Sequence, residues 1–149
     1  MTAPAPVAPS LTLKRRIKAP PEKVFAAWTQ PQLMRQWFAP AHAATLEVDC
    51  DLRIGGRYRV LMHVEDDGRD HEASGVYREI VPHERLVFTW TWLNRPEEGE
   101  TLVTLHFRPD DGHTLFTLTH ERFASEQLRD EHSNGWSGAL DKLVQVSEA

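Results

Sequence analysis

The sequence has one cysteine, Cys50, so no disulfide can form within the chain and no cysteine spacing suggests zinc. With no neighbouring cation in sequence apart from Arg53, that thiol reads as inert. No run of 18 apolar residues is present, which excludes an ordinary membrane-spanning helix. No charged-then-apolar leader is present either, and a cytoplasmic location is expected. Basic charge is also scarce: 149 residues carry a formal net charge of -5, which favours solubility and gives no support to a nucleic-acid surface. Lys14-Arg15-Arg16 is the only basic run and reads as a solvated strand end. There is no Gly-x-Ser-x-Gly elbow for serine hydrolase chemistry. Gly55-Gly56 lacks the lysine and the strand-to-helix setting of a phosphate loop. The eight histidines include no His-x-x-x-His pair. No metal and no cofactor is called for.

What is present is ordinary for a globular domain: 40% hydrophobic and 26% charged residues. A chain of this length buries roughly two-thirds of its unfolded surface as one domain. Residues 1–10 form a Pro/Ala-rich tail expected to be flexible, and 11–149 read as a single domain. Leu11–Ile17 reads as a strand. Pro20-Pro21 opens a short helix with Val24, Phe25 and Trp28 on one face, and Pro31 opens another, with Leu33 and Trp37 four apart on its buried side.

From Thr45 to Arg122 the pattern is period-two. Strands are expected at Thr45–Asp49, Arg57–Glu65, His71–Ile80, Arg85–Leu93, Thr101–Phe107 and Thr114–Glu121. The turns between them include Asp66-Asp67-Gly68, Pro82-His83-Glu84 and Pro109-Asp110-Asp111-Gly112. The last element is a long helix with Ser125 as N-cap. Its stripe is Leu128, His132, Trp136, Leu140 and Leu143, apolar except at His132. Gly135 and Gly138 beside the stripe each cost about 1 kcal/mol relative to alanine and read as packing devices. The fold class is α+β, in the order β-α-α-β(6)-α. A curved antiparallel sheet wraps around the C-terminal helix, and a cavity opens where the straight helix leaves the curved sheet.

Several stretches in order carry a family resemblance: Ala19-Pro20-Pro21-Glu22-Lys23-Val24-Phe25-Ala26-Ala27-Trp28, Arg53-Ile54-Gly55-Gly56-Arg57-Tyr58, Gly75-Val76-Tyr77 and Pro82-His83-Glu84-Arg85-Leu86-Val87-Phe88-Thr89-Trp90. Thr117-Leu118-Thr119-His120-Glu121 and His132-Ser133-Asn134-Gly135-Trp136 complete the set. From about Leu11 to Val146 the chain resembles the START-like (SRPBCC, helix-grip) superfamily. Within it, the resemblance is to the group related to the C-terminal domain of the activator of the Hsp90 ATPase. The resemblance implies the helix-grip fold and admits ligand binders, cyclases, lyases and co-chaperone domains; fold alone does not choose among them. It does not extend to the separate N-terminal domain of the eukaryotic co-chaperones, which counts against Hsp90 as a partner.

The inward faces of the strands and the helix stripe define a candidate ligand-binding set. From the strands come Tyr58, Met62, Tyr77, Phe88, Trp90 and Trp92, then Leu105, Phe116, Leu118 and His120. The helix adds His132 and Trp136. Apolar walls with few polar groups suit a small hydrophobic or aromatic molecule; the same rings can equally fill a core. His120 and His132 are candidates for holding a polar ligand group or moving a proton. Three functions follow in order. The first is binding of a small hydrophobic or aromatic molecule in the cavity. The second is a cyclase- or hydrolase-like enzyme with His120 or His132 as acid or base. The third is an Hsp90-associated, co-chaperone-like module of the stress response. Catalytic residues are unassigned, and a homodimer is left open.

Overall fold

The computed structural model describes residues 7–149. Of the N-terminal tail, residues 1–6 lie outside the described residues. Residues 7–10 carry no regular structure, although the Pro9 carbonyl accepts the Phe123 N–H at 3.2 Å. The elements are β1 (Leu11–Ile17), α1 (Pro21–Thr29), α2 (Pro31–Met34), β2 (Ala43–Cys50), β3 (Arg57–Val64), β4 (Arg69–Val81) and β5 (Arg85–Trp92). A 3-10 turn at Pro96–Glu98, then β6 (Thr101–Asp110), β7 (His113–Glu121) and α3 (Glu126–Glu148) complete the chain. This is the expected α+β helix-grip order, with no expected element missing.

One seven-stranded sheet is formed, ordered β1-β7-β6-β5-β4-β3-β2, with every neighbouring pair antiparallel. Strands β2 to β7 follow one another as a meander, because each is joined to the next by a connection short enough for antiparallel pairing. The tightest is Asp111-Gly112, where φ of 52° and 79° gives the two-residue turn that suits twisted strands. β6 therefore runs on through Pro109, three residues past its expected end at Phe107. β1 and β2 lie at opposite edges of the sheet, so α1, α2 and residues 35–42 carry the chain across its concave side. The second helix is a single turn: Met34 is its buried residue, Leu33 is half-buried, and Trp37 lies beyond its end. Trp37 is fixed instead by its indole N–H, which donates to the Ala27 carbonyl at 2.9 Å.

The ladder between β4 and β5 is irregular, the kind of break that bends a sheet. Between the pairs Ser74↔Thr91 and Tyr77↔Phe88 the ladder is interrupted, and the register shifts between Tyr77 and Glu79. Side chains replace the missing ladder bonds: Tyr58 Oη–H donates to the Thr89 carbonyl at 2.6 Å, and Thr89 Oγ1 accepts the Val76 N–H at 2.8 Å. Tyr58 reaches Thr89 by crossing over Gly75, where a Cβ would stand 2.7 Å from its ring and 1.8 Å from the Thr89 oxygen. Only a residue without a side chain admits that crossing.

Helix α3 closes the concave face. Ser125 caps it as expected, its Oγ accepting the Leu128 N–H at 3.2 Å. Trp136, Ala139, Leu140, Leu143 and Ser147 are buried, whereas Leu128 and His132 toward its start are only half-buried. From Trp136 onward the helix therefore anchors in the core, and its first turns are more exposed.

Candidate functional site

A cleft of about 610 Å³ opens where α3 leaves the sheet. Its deep walls are Phe38, Ala39 and Pro40 from the segment after α2, Met62 and Val64 of β3, Trp90 and Trp92 of β5, and Gly135, Trp136 and Ala139 of α3. Its rim is polar: Asp66 and Asp67 of the β3–β4 turn, His71 of β4, Arg95, and Glu131 with His132 on the helix. Pro40 and Ala41 are drawn onto the helix by two features. Lys142 Nζ donates to the Pro40 and Ala43 carbonyls at 2.8 and 3.3 Å, and partial burial lowers its pKa. Gly138 supplies the space, since a Cβ there would lie 2.8 Å from the Ala41 nitrogen.

Of the residues expected to line a cavity, Met62, Trp90, Trp92, His132 and Trp136 meet in this cleft. The others are spent inside the core. Tyr58 braces the β4–β5 bend, with Tyr77 and Phe88 packed on it at ring separations of 5.7 and 5.2 Å. Phe116 stacks on Trp28 at 5.6 Å, and Leu105 and Leu118 are fully buried partners on adjacent strands.

His120 is fully buried, and its protonation follows from its partners. An indole N–H can only donate, so the bond from Trp136 Nε1 at 3.0 Å makes His120 Nδ1 an acceptor. The proton then sits on Nε2 and is donated to Thr101 Oγ1 at 2.6 Å, whose own hydroxyl donates to the Trp90 carbonyl at 3.2 Å. Burial first, and the neighbouring His132 second, hold this imidazole well below its ordinary pKa. His120 is thus a neutral bolt between β7, β6 and α3, with both ring nitrogens occupied.

His132 repeats the logic in the opposite direction. Trp92 Nε1 donates to its Nε2 at 2.8 Å, so the proton is on Nδ1 and is donated to the Leu128 carbonyl at 2.7 Å. Burial again lowers the pKa, and the bond to Leu128 offsets part of that. The two imidazoles lie edge to face, 5.4 Å between centroids, without a hydrogen bond between them. Of the three cleft tryptophans, Trp90 alone has a buried N–H without a partner.

Apart from His132, the rim residues were not in the expected set. His71 is buried, with both ring nitrogens partnered: Asp67 Oδ2 lies 2.7 Å from Nε2, and Asn94 Nδ2 lies 3.1 Å from Nδ1. Asn94 Oδ1 accepts the Glu72 N–H, so its amide nitrogen faces His71 and the imidazole N–H faces Asp67. The Arg69 backbone N–H, then His71, hold the Asp67 carboxyl below the usual range. His71 stands two residues before Ala73 on the same strand face, a signal that alternation already carries. Arg95 lies 4.4 Å over the Trp92 ring and pairs with Glu98 at 3.1 Å; it stands just ahead of the 3-10 turn, where no periodicity announces it. Among the described residues, no group of three or more His, Cys, Asp or Glu side chains is arranged to hold a metal ion, and no helix is long and apolar enough to cross a membrane.

A curled antiparallel sheet gripping one long helix over a cleft defines a helix-grip domain of the START-like class. Residues 18–148 match the family described as Activator of Hsp90 ATPase homolog 1-like protein, and the chain belongs to that family. It is 29% identical over 98 residues to the human Activator of 90 kDa heat shock protein ATPase homolog 1, a match covering 65% of this chain and 25% of the human protein. The chain thus spans about a quarter of that relative's length. Among solved structures it is similar to protein CV1439 of Chromobacterium violaceum, at a TM-score of 0.85 and 25% identity, covering 94% of this chain and 97% of that one. It is also similar to CalU16 of Micromonospora echinospora, at a TM-score of 0.72 and 29% identity, covering 93% and 76%. The AHSA1 protein of Silicibacter pomeroyi shares the fold, with a TM-score of 0.79 at 24% identity over 92% of this chain and 96% of that one.

Proposed function

We propose that this protein binds a small hydrophobic or aromatic molecule in the cleft between α3 and the sheet. The observation that carries the reading is a cleft of about 610 Å³ walled by Phe38, Met62, Trp90, Trp92 and Trp136 and rimmed by polar side chains. That volume falls within the range of about 300–1,000 Å³ in which proteins enclose drug-sized ligands. The family match supports a ligand-binding domain in general terms. Met62, Trp90, Trp92, His132 and Trp136 are the binding residues proposed here; of the two histidines, only His132 borders the cleft.

Acid–base catalysis by either histidine has less support. Each imidazole has one nitrogen accepting an indole N–H and the other donating, so neither has a free position for a substrate proton. Native mass spectrometry of gently purified protein, followed by extraction, tests the binding reading. A retained aromatic small molecule, lost when Gly135→Leu fills the cleft, is the expected result. Equal retention by the filled variant would sink it. A chaperone-linked role is the second reading, favoured by the stretch shared with the human activator. Stimulation of Hsp90 ATPase turnover by the purified protein is its test, and unchanged turnover would dismiss it.

A further inference from the structure

We propose that the cleft selects a flat aromatic cation, such as a protonated aromatic amine, over neutral and anionic molecules of the same shape. This rests on the reading of the cleft as a small-molecule site and adds the charge of the molecule. Three features of the lining point the same way.

The first is the state of the tryptophans. The N–H edges of Trp92 and Trp136 are committed to His132 and His120. The positive edges of these two indoles are therefore spent inside the protein, and what they present to a ligand is their π faces, which carry the negative side of the ring quadrupole; of the cleft tryptophans only Trp90 keeps an N–H without a partner. One cation already occupies such a face: the Arg95 guanidinium lies 4.4 Å over Trp92.

The second is the balance of charge at the rim. Asp66, Asp67 and Glu131 line the opening against a single guanidinium, Arg95, and that one is already paired with Glu98 at 3.1 Å. Glu98 also keeps a buried oxygen, Oε1, without a donor. The third is the absence of compensating positive charge from the histidine on the helix. His132 accepts the Trp92 N–H on Nε2, an arrangement available only to neutral imidazole. An anion entering the cleft would thus meet carboxylates and π faces with no unpaired lysine or arginine among the lining residues, whereas a cation would gain from both.

The test uses the whole chain and three acridines of nearly equal shape, titrated at pH 7.5 by tryptophan fluorescence and calorimetry. They are 9-aminoacridine (cation), acridone (neutral) and acridine-9-carboxylate (anion). The cation should bind about tenfold or more tighter than acridone, with the carboxylate weakest. In the Asp66→Asn/Glu131→Gln double variant, whose changes lie on exposed side chains, that preference should shrink to about threefold or less. Gly135→Leu, or Ala139→Leu should that variant not fold, should abolish binding of both cation and acridone. Equal or tighter binding of acridone or the carboxylate, lost on blocking, would overturn the charge selection and leave the cleft reading standing. Cation binding that survives blocking would place it on the acidic surface and overturn the proposal. Binding of none of the three would overturn both.

Discussion

Trp136 gives its indole N–H to Nδ1 of His120 at 3.0 Å, while one turn earlier on the same helix His132 receives the indole N–H of Trp92 at 2.8 Å. Helix and sheet therefore exchange one bond in each direction. The first bond is sealed in the core and the second borders the cleft. Replacing His120 by leucine keeps an apolar side chain of comparable size but strands the Trp136 N–H. An unpaired buried donor costs about 1–3 kcal/mol, so His120→Leu should lower stability by about 2 kcal/mol in urea unfolding. A stability equal to wild type would show that the bolt contributes nothing.

Acidification should loosen the protein through the same two rings. His120 and His132 are bases held below their ordinary pKa in the folded state, so between the folded and unfolded values only the unfolded chain binds the protons. Their contribution is fully present above about pH 6.5, the unfolded value, and is lost as pH falls from there toward the folded values. Thermal midpoints should be flat from pH 8 to 7 and fall from pH 6.5 to 5, a window above the usual carboxylate range. His120→Leu should make that fall shallower. A midpoint unchanged down to pH 5 would contradict the neutral assignment of both rings.

Three glycines should respond differently to alanine. At Gly135 the nearest atom to a new Cβ is Pro40 Cγ at 3.6 Å, an ordinary contact, so the helix should gain up to about 1 kcal/mol while the cleft narrows. At Gly138 the Cβ would meet Ala41 nitrogen at 2.8 Å and Ala41 Cβ at 2.9 Å; the forced shift should outweigh the helical gain and cost about 1–3 kcal/mol net. At Gly75 the Cβ would stand 1.8 Å from the Thr89 oxygen, which is backbone and cannot step aside, and the variant should fail to accumulate as folded protein. Circular dichroism melts order the three; a Gly138→Ala more stable than Gly135→Ala would refute the ordering.

The alternation of strand side chains and the Ser125 cap were legible because both arise from neighbours in sequence. His120 read as inward for the same reason. Alternation, however, says only that a residue faces the concave side. Whether Phe116 or Trp92 ends beside empty space depends on what lies across from it: Trp28 stacks on Phe116, while the Phe38–Pro40 segment stacks Phe38 on Trp90 and leaves the cleft lined by Trp92 open. That segment follows a one-turn helix and has no period to read, so neither it nor Arg95, just ahead of the 3-10 turn, could be assigned to a face. The cleft is thus a product of two aperiodic pieces meeting a periodic sheet.

The pairing of β1 with β7 has a consequence in time. Leu11 lies opposite His120, so β1, made before the other described strands, waits for roughly a hundred further residues before β7, its neighbour among the described residues, exists. Closing so long a loop is slow relative to hairpin formation. On that ground the β2–β7 meander is expected to assemble first, with β1 added as a final edge. Until then the surface of β7 that β1 will cover stands open, and a newly made chain is most vulnerable to sticking to its copies along that edge.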